Sequence, residues 1–407
     1  MNWDLLRKAE WLGPERARAY LFILALTISA GLAFLLLTSR GGIDRNGFLL
    51  GTDFISFWSA GQMLHGGGNV YDIQAHIAAQ RAFHAVPGEF TAFFYPPNFL
   101  PMVWPLGLLP YFPALFAWLV VTGASWIAAV RAWFGTLGLK GSALVLLIAF
   151  PPVFATMTHG QTSFLVAALL GGGLLVVRER PWLAGLLIGL ATIKPQFGLL
   201  VPVALLATAS WRTIIAAGGA AIALAGLAAL AFGPQVWSDW LAVTSAAGEA
   251  TDNGTIGFAK MVSLFAGLRL LGVASTPAIV AQVALALAVA GAVGAVAWRK
   301  PFSPGLAALV LAGAPLATPF VLDYDLLLTA FPLAYLFSQA RRHGFQDWER
   351  ITIATTFAAG VFARPLAINV GIPLMPLVLI GLFLLVLRRV RAEATHGQPD
   401  GPVPARA

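Results

Sequence analysis

The residues that could do chemistry are few and widely spaced. Asp53 stands in Gly51-Thr52-Asp53-Phe54-Ile55-Ser56-Phe57-Trp58, an acid set among large apolar side chains. Burial among Phe54, Phe57 and Trp58 would raise its pKa toward that of a useful general base, whereas a nearby cation would lower it. The bland alternative is a solvated acid at a membrane interface. His159-Gly160-Gln161 supplies an imidazole and an amide where an apolar run ends. Lys194 is followed by Pro195 inside a long apolar run. An ammonium there costs on the order of 3 kcal/mol unless it is paired or reaches water. A lysine at the apex of a broken helix suits a phosphate. Asp323-Tyr324-Asp325 adds two carboxylates that point apart at i, i+2 and so imply no paired dyad. Tyr71-Asp72 and Tyr95 precede them. These acids could in principle hold a metal, but no tight ligand motif supports one.

The elements that must position these groups lie in a membrane. The 407 residues are 59% hydrophobic and 10% charged, with a mean hydropathy of +0.82. Ordinary soluble domains are about 25% charged. Apolar runs recur from Leu21 onward with no soluble domain between them, which predicts one membrane domain over 1–390 and a disordered tail over 391–407. The segment before Leu21 is of mixed charge and no small-x-small cleavage site follows, so the first run is expected to be an anchor rather than a removable signal. With no cysteine, disulfides and thiol chemistry are excluded.

Candidate spans are 20–38, 111–130, 141–157, 162–177, 213–232, 276–297, 303–320, 325–338, 351–363 and 367–387. The run 182–209 is longer than one span but is broken at Lys194-Pro195, where proline removes a helix hydrogen bond. It reads as two half-helices entering and returning. Placed so, eighteen of the 25 Lys and Arg fall on the side of the N-terminus and six opposite, with Lys194 between. By the positive-inside rule both termini are then cytoplasmic. The basic residues follow this topogenic pattern, which excludes nucleic acid as a partner. Nine of the seventeen acids, Glu89 among them, and His65, His76, His84 and His159 fall on the outer side. The longest outer loop is 39–99, and its aromatic residues read most simply as an interfacial belt. Gly185 and Gly189 form a small-xxx-small pair suited to helix packing.

Taken in order, these residues resemble glycosyltransferase family 87, the polyprenol-phosphate-mannose-dependent mannosyltransferases of the GT-C superfamily. The resemblance rests on Asp53, Ala60, Leu64 to Gly66 and Tyr71-Asp72, then on Tyr95 to Pro97, Pro105-Leu106, Leu109-Pro110 and Trp118. It continues through Gly160-Gln161, Arg178 to Arg180, Ala184 to Gly189 and Lys194-Pro195. It implies an all-α GT-C-like bundle of about 10–12 transmembrane helices with broken half-helices. It also implies inverting transfer of a mannose-like sugar from a polyprenyl-phosphate donor to a hydroxyl of a lipid or glycan acceptor, at the outer face of a bacterial cell (inner) membrane. Asp53 would be the base, Lys194, His159 and Gln161 would meet the donor phosphate, and Tyr71, Asp72, Tyr95, Asp323 and Asp325 would bind substrate. No metal and no cofactor are expected, because a lipid phosphate leaving group bears less charge than a nucleotide diphosphate. The later elements Gly257-Phe258-Ala259-Lys260 and Leu322-Asp323-Tyr324-Asp325 depart from the family's Asn-Gln-Ser and Trp-x-His patterns. The rival reading is a transporter or flippase, which broken helices also suit, although no internal repeat accompanies the single Lys-Pro break.

Overall fold

A computed structural model describes residues 3–85, 90–142, 144–255 and 257–396. Glu89 and residues 397–407 of the expected tail lie outside them, while 391–396 continue the last helix, Leu374–His396. Among the described residues there are no strands, only three isolated bridges. The chain is an all-α polytopic membrane protein.

Among the described residues five helices are long and apolar enough to cross a bilayer: Pro14–Thr38, Tyr111–Leu137, Trp211–Phe232, Ser275–Ala297 and Glu349–Val370. They divide by how they meet their surroundings. Pro14–Thr38 buries only Ile28, and Leu37 and Leu230 are 85% and 88% exposed. Helices apolar all round with such exposed leucines are solvated by lipid. The centre is made of shorter pieces. Ser163–Leu175 and Pro304–Gly313 are buried along nearly their whole length. At 1.5 Å per residue neither reaches across a roughly 30 Å core, so turns and 3-10 segments complete the crossing. Such irregular backbone is tolerated because protein, not lipid, surrounds it.

Proline positions decide where these breaks fall. The expected span 141–157 is two short helices, Leu144–Ala149 and Pro151–His159, because Pro151 forces Phe150 into an extended conformation. Pro315 likewise tightens Ala314–Leu316 into a 3-10 turn. The expected span 325–338 begins instead with a 3-10 segment, Asp323–Thr329, before the helix Ala330–His343. In the run 182–209, Pro181–Leu190 and Val201–Ala207 flank 3-10 turns on either side of Lys194, whose φ of −130° and ψ of 74° are those of a residue before proline.

Glycine spacing shows that this run enters and returns. A Cβ on Gly185 would stand 2.5 Å from the Thr213 carbonyl oxygen, and one on Gly189 2.6 Å from that of Ala217. Pro181–Leu190 therefore lies parallel against Trp211–Phe232, with residues 181 and 211 at the same end. The Arg299 amide donates to the Ala207 carbonyl at that end too. The small-xxx-small pair packs helices, as its spacing predicted.

The bundle thus has two distinct ends. The lower end gathers both terminal regions. The Trp348 amide donates to the Arg7 carbonyl, and Arg389 forms a buried ion pair with Glu349 at 2.6 Å. The upper end carries the 39–99 segment, with helices Phe54–His65 and Ile73–Phe83, and the helix Gln235–Asp252 beside it. Trp240 of that last helix donates its Nε1–H to the Phe94 carbonyl at 3.2 Å.

Candidate active site

The turn after Pro151–His159 organises the upper end. Gly160 has a φ of +67°, the left-handed conformation that favours glycine, and a Cβ there would stand 2.6 Å from the Cβ of Phe54. That close approach lets the segment before Phe54 lie along the turn. The Gly51 amide donates to the Thr158 carbonyl and the Asp53 amide to the His159 carbonyl, both at 3.0 Å. Trp118 closes the other side through its Nε1–H to the Gly160 carbonyl.

These straps bring Asp53 against Gln161. The Gln161 amide nitrogen donates to Asp53 Oδ2 at 2.7 Å, while its Oε1 accepts from the Tyr95 hydroxyl at 3.0 Å and from the Thr162 amide at 3.1 Å. The orientation of the amide is fixed, since a carboxylate only accepts and a backbone N–H only donates. Asp53 is half-buried, and among the described residues no hydrogen bond reaches its Oδ1.

Lys194 stands beside this group. Its Nζ is 2.8 Å from Asp325 Oδ1, and the two side chains are only 6% and 2% exposed. Ser163 donates to the same oxygen at 2.7 Å, and the Leu322 amide donates to Asp325 Oδ2. The ammonium also lies over the rings of Tyr324, Tyr95 and Phe197, at 5.1, 5.8 and 5.8 Å. So the intramembrane lysine is paired, which removes most of the cost of placing it there. One of its three N–H groups holds Asp325. Asn98, of the stretch Tyr95 to Phe99, reaches the same apex by donating to Thr192 at 2.8 Å.

Asp323 points elsewhere, as the i, i+2 spacing required. It faces Arg364 at 3.6 Å. Burial pushes its carboxyl above the ordinary aspartate range, against the opposing pull of His159 and Arg364. His159 lies against Tyr324, ring centres 5.9 Å apart, and its Nδ1 must donate to the Ala155 carbonyl at 2.8 Å, which leaves Nε2 as the open ring nitrogen.

Asp53, Gln161, Tyr95, Lys194, Asp325, Tyr324, His159 and Asp323 therefore form one contiguous polar group beneath the upper surface. Tyr71 joins it from behind, donating to the Tyr95 carbonyl at 2.9 Å; burial, then Asp239, pushes its hydroxyl pKa well above the usual value. Asp72 stands apart. Its carboxylate caps the helix Ile73–Phe83, accepting from the amides of Gln74 and Ala75. An acid just before a helix is a readable cap signal. Three members were not singled out from the sequence. Ser163 and Thr162 lack any chemical signature, and Arg364 reads there only as one of the topogenic charges.

A metal is not suggested by the donor set: no group of three His, Cys, Asp or Glu side chains is gathered among the described residues. The acids that do converge are held by an amide, a lysine and an arginine.

No curated protein and no solved structure matches the chain. The profile of glycosyltransferase family 87 matches residues 93–322, more than half of the chain. The matched stretch includes Tyr95, His159, Gln161 and Lys194; Asp53 precedes it, and Asp323, Asp325 and Arg364 follow it. This chain, a membrane protein with one contiguous polar group beneath the upper end of its bundle, belongs to glycosyltransferase family 87.

Proposed function

We propose that this glycosyltransferase moves a mannose-like sugar from a polyprenyl-phosphate donor to a hydroxyl of a lipid or glycan acceptor, with inversion, at the extracytoplasmic face of a bacterial cell membrane. The observation that carries the reading is the pairing of Asp53 with Gln161 alongside Lys194–Asp325. It sets a half-buried carboxylate with an open oxygen near a lysine–carboxylate pair that is almost wholly buried.

In the reaction Asp53 Oδ1 takes the acceptor's hydroxyl proton as the acceptor oxygen attacks the anomeric carbon. The bond from that carbon to the phosphate oxygen breaks, and the electron pair leaves with the polyprenyl phosphate. A single base on one side and a departing phosphate on the other give inversion. Gln161 holds Oδ2, so only one rotation of the carboxylate is available. Lys194, with two N–H groups not engaged by Asp325, supplies charge for the leaving phosphate, and His159 adds to it in its doubly protonated form, in which Nε2 is also a donor. Tyr71, Asp323 and Asp325 hold the walls to which the sugars bind, and Asp72 fixes the helix that bounds them. The excess of Lys and Arg at the lower end, including Arg341, Arg342, Arg350, Arg388 and Arg389, supports a cytoplasmic position for both termini.

The test is transfer by purified full chain in detergent, with a panel of polyprenyl-phosphate sugars and glycolipid acceptors. Asp53→Asn is expected to lower kcat by about 10²- to 10⁴-fold, the usual contribution of a general base, with little change in KM. Unimpaired transfer by that variant would remove Asp53 as the base. No transfer by wild type from any donor would favour transport of a lipid-linked substrate.

A further inference from the structure

A second group of cations lies just beside the site and is not used by the reaction. The 3-10 turn Phe258–Lys260, the 3-10 segment from Asp323 and the upper part of Glu349–Val370 enclose a cleft whose polar walls are Lys260, Asp323 and Arg364. Its remaining walls include Leu270, Leu374 and Met375. Lys260 is exposed and forms no ion pair among the described residues. Arg364 is one-third exposed, and its contact with Asp323 at 3.6 Å is long for a charge-assisted bond. Next to the cleft the surface is apolar: Phe362, Ile368, Val370, Ile372 and Leu271 are 46–61% exposed. An arginine six residues before the end of a membrane helix stands at headgroup depth, with acyl chains alongside.

The geometry points to this cleft as the place where the phosphate of a lipid-phosphate substrate is captured from the bilayer, with Arg364 and Lys260 as its counter-charges. Two cations suit a phosphate and the apolar flank suits its chain. Asp323 occupies Arg364 until the phosphate displaces it, and that exchange happens one residue from Tyr324, whose ring underlies Lys194. Asp323, which lines the cleft, and Asp325, which holds Lys194, belong to the same 3-10 segment. This assignment deepens the transfer reading and rests on it for the direction of movement, but binding alone can test it.

The experiment uses the full chain in nanodiscs of zwitterionic lipid and measures equilibrium binding of a sugar-free polyprenyl phosphate, the corresponding polyprenol and inorganic phosphate. The double variant R364Q/K260Q is expected to bind polyprenyl phosphate at least about tenfold more weakly, since two charge-assisted contacts to the phosphate are lost, while polyprenol binding is unchanged. Asp323→Asn, which frees Arg364 from its competitor, is expected to bind polyprenyl phosphate severalfold more tightly. A merely structural pair would give the opposite sign. The charge-retaining R364K/K260R is expected to stay near wild type. Undiminished lipid-phosphate binding by R364Q/K260Q, or an equal loss of polyprenol binding, would overturn the proposal. Inorganic phosphate binding as tightly as the lipid phosphate would overturn the assignment to a lipid. If these differences appear while wild type transfers no sugar, the cleft stands and the transfer reading falls.

Discussion

Exchanging Lys194 for methionine removes one half of an ion pair whose side chains are 6% and 2% exposed. What remains is Asp325 with Ser163 and the Leu322 amide as hydrogen-bond donors but no counter-charge. Breaking a buried pair on one side costs about 3–5 kcal/mol, because the surviving charge is left in a poor dielectric, whereas replacing both partners with apolar groups of similar size is often neutral or stabilising. Each single variant, Lys194→Met and Asp325→Leu, is therefore expected to lose about 3–5 kcal/mol. Asp325→Leu stands at the upper end of that range, because it also strands the Ser163 hydroxyl and the Leu322 amide. The double variant should recover most of the loss, which is a coupling of several kcal/mol. The assay is a double-mutant cycle in detergent, read as resistance to heat inactivation of the folded protein on size exclusion, with sugar transfer measured on the same samples. If Lys194 serves the leaving phosphate, the double variant folds like wild type yet transfers at least about 100-fold more slowly, the scale for loss of one charged group aimed at a developing anion. Additive losses of stability in the double variant would refute the buried-pair argument. Full recovery of transfer would refute a role for Lys194 in the reaction.

Three further outcomes are expected. Gln161→Leu leaves Asp53 Oδ2 without its donor, a charged hydrogen bond of about 1.5–3 kcal/mol, and should slow transfer roughly 10- to 100-fold, read as kcat at saturating donor. Gly160→Ala meets both a positive φ and a 2.6 Å approach to Phe54; it should destabilise the fold by about 1–3 kcal/mol, and lower transfer, because the displaced turn carries Gln161. His76 in the upper segment is 1% exposed, and burial depresses its pKa below 6.5. Its contribution to stability is complete above the unfolded value of about 6.5 and is lost as the pH falls toward and through the depressed folded value. Heat inactivation should accelerate in that acid window, and His76→Phe should flatten the dependence.

How far the sequence could be read follows from which signals are local. Lys194-Pro195 declares its own break, since proline acts on the residue before it, and Gly185 and Gly189 declare a close helix contact by spacing alone. The acid at 53 and the amide at 161 were readable as polar groups at the ends of apolar runs. What pairs with what was not. Asp325 meets Lys194 across 131 positions, and nothing in either residue's neighbourhood announces the other. Residues 141–157 read as one continuous apolar run because hydropathy averages over Pro151 and Pro152, whereas the backbone cannot. Arg364 was hidden by a different ambiguity: a cation near a helix end reads first as a topogenic charge, and nothing local announces its contact with Asp323. Asp72, by contrast, carried a cap signal that a functional interpretation obscured.

The re-entrant hairpin 181–207 has a consequence for how this chain is made. Its two helices, of 10 and 7 residues, are each too short to cross a bilayer, and the apex between them carries a lysine. During synthesis the neighbouring helix 211–232 can shelter the first half as soon as it emerges, through the Gly185 and Gly189 contacts. Tyr95 and Asn98 precede the apex and can already reach it, but its counter-charge arrives 131 residues later. Until then the ammonium stays at the membrane surface or draws water inward. The Lys194–Asp325 bond is accordingly a contact that only a nearly finished chain can make. Fragments ending before residue 325 keep an unneutralised hairpin, the kind of exposed defect by which membrane quality control separates incomplete chains from complete ones.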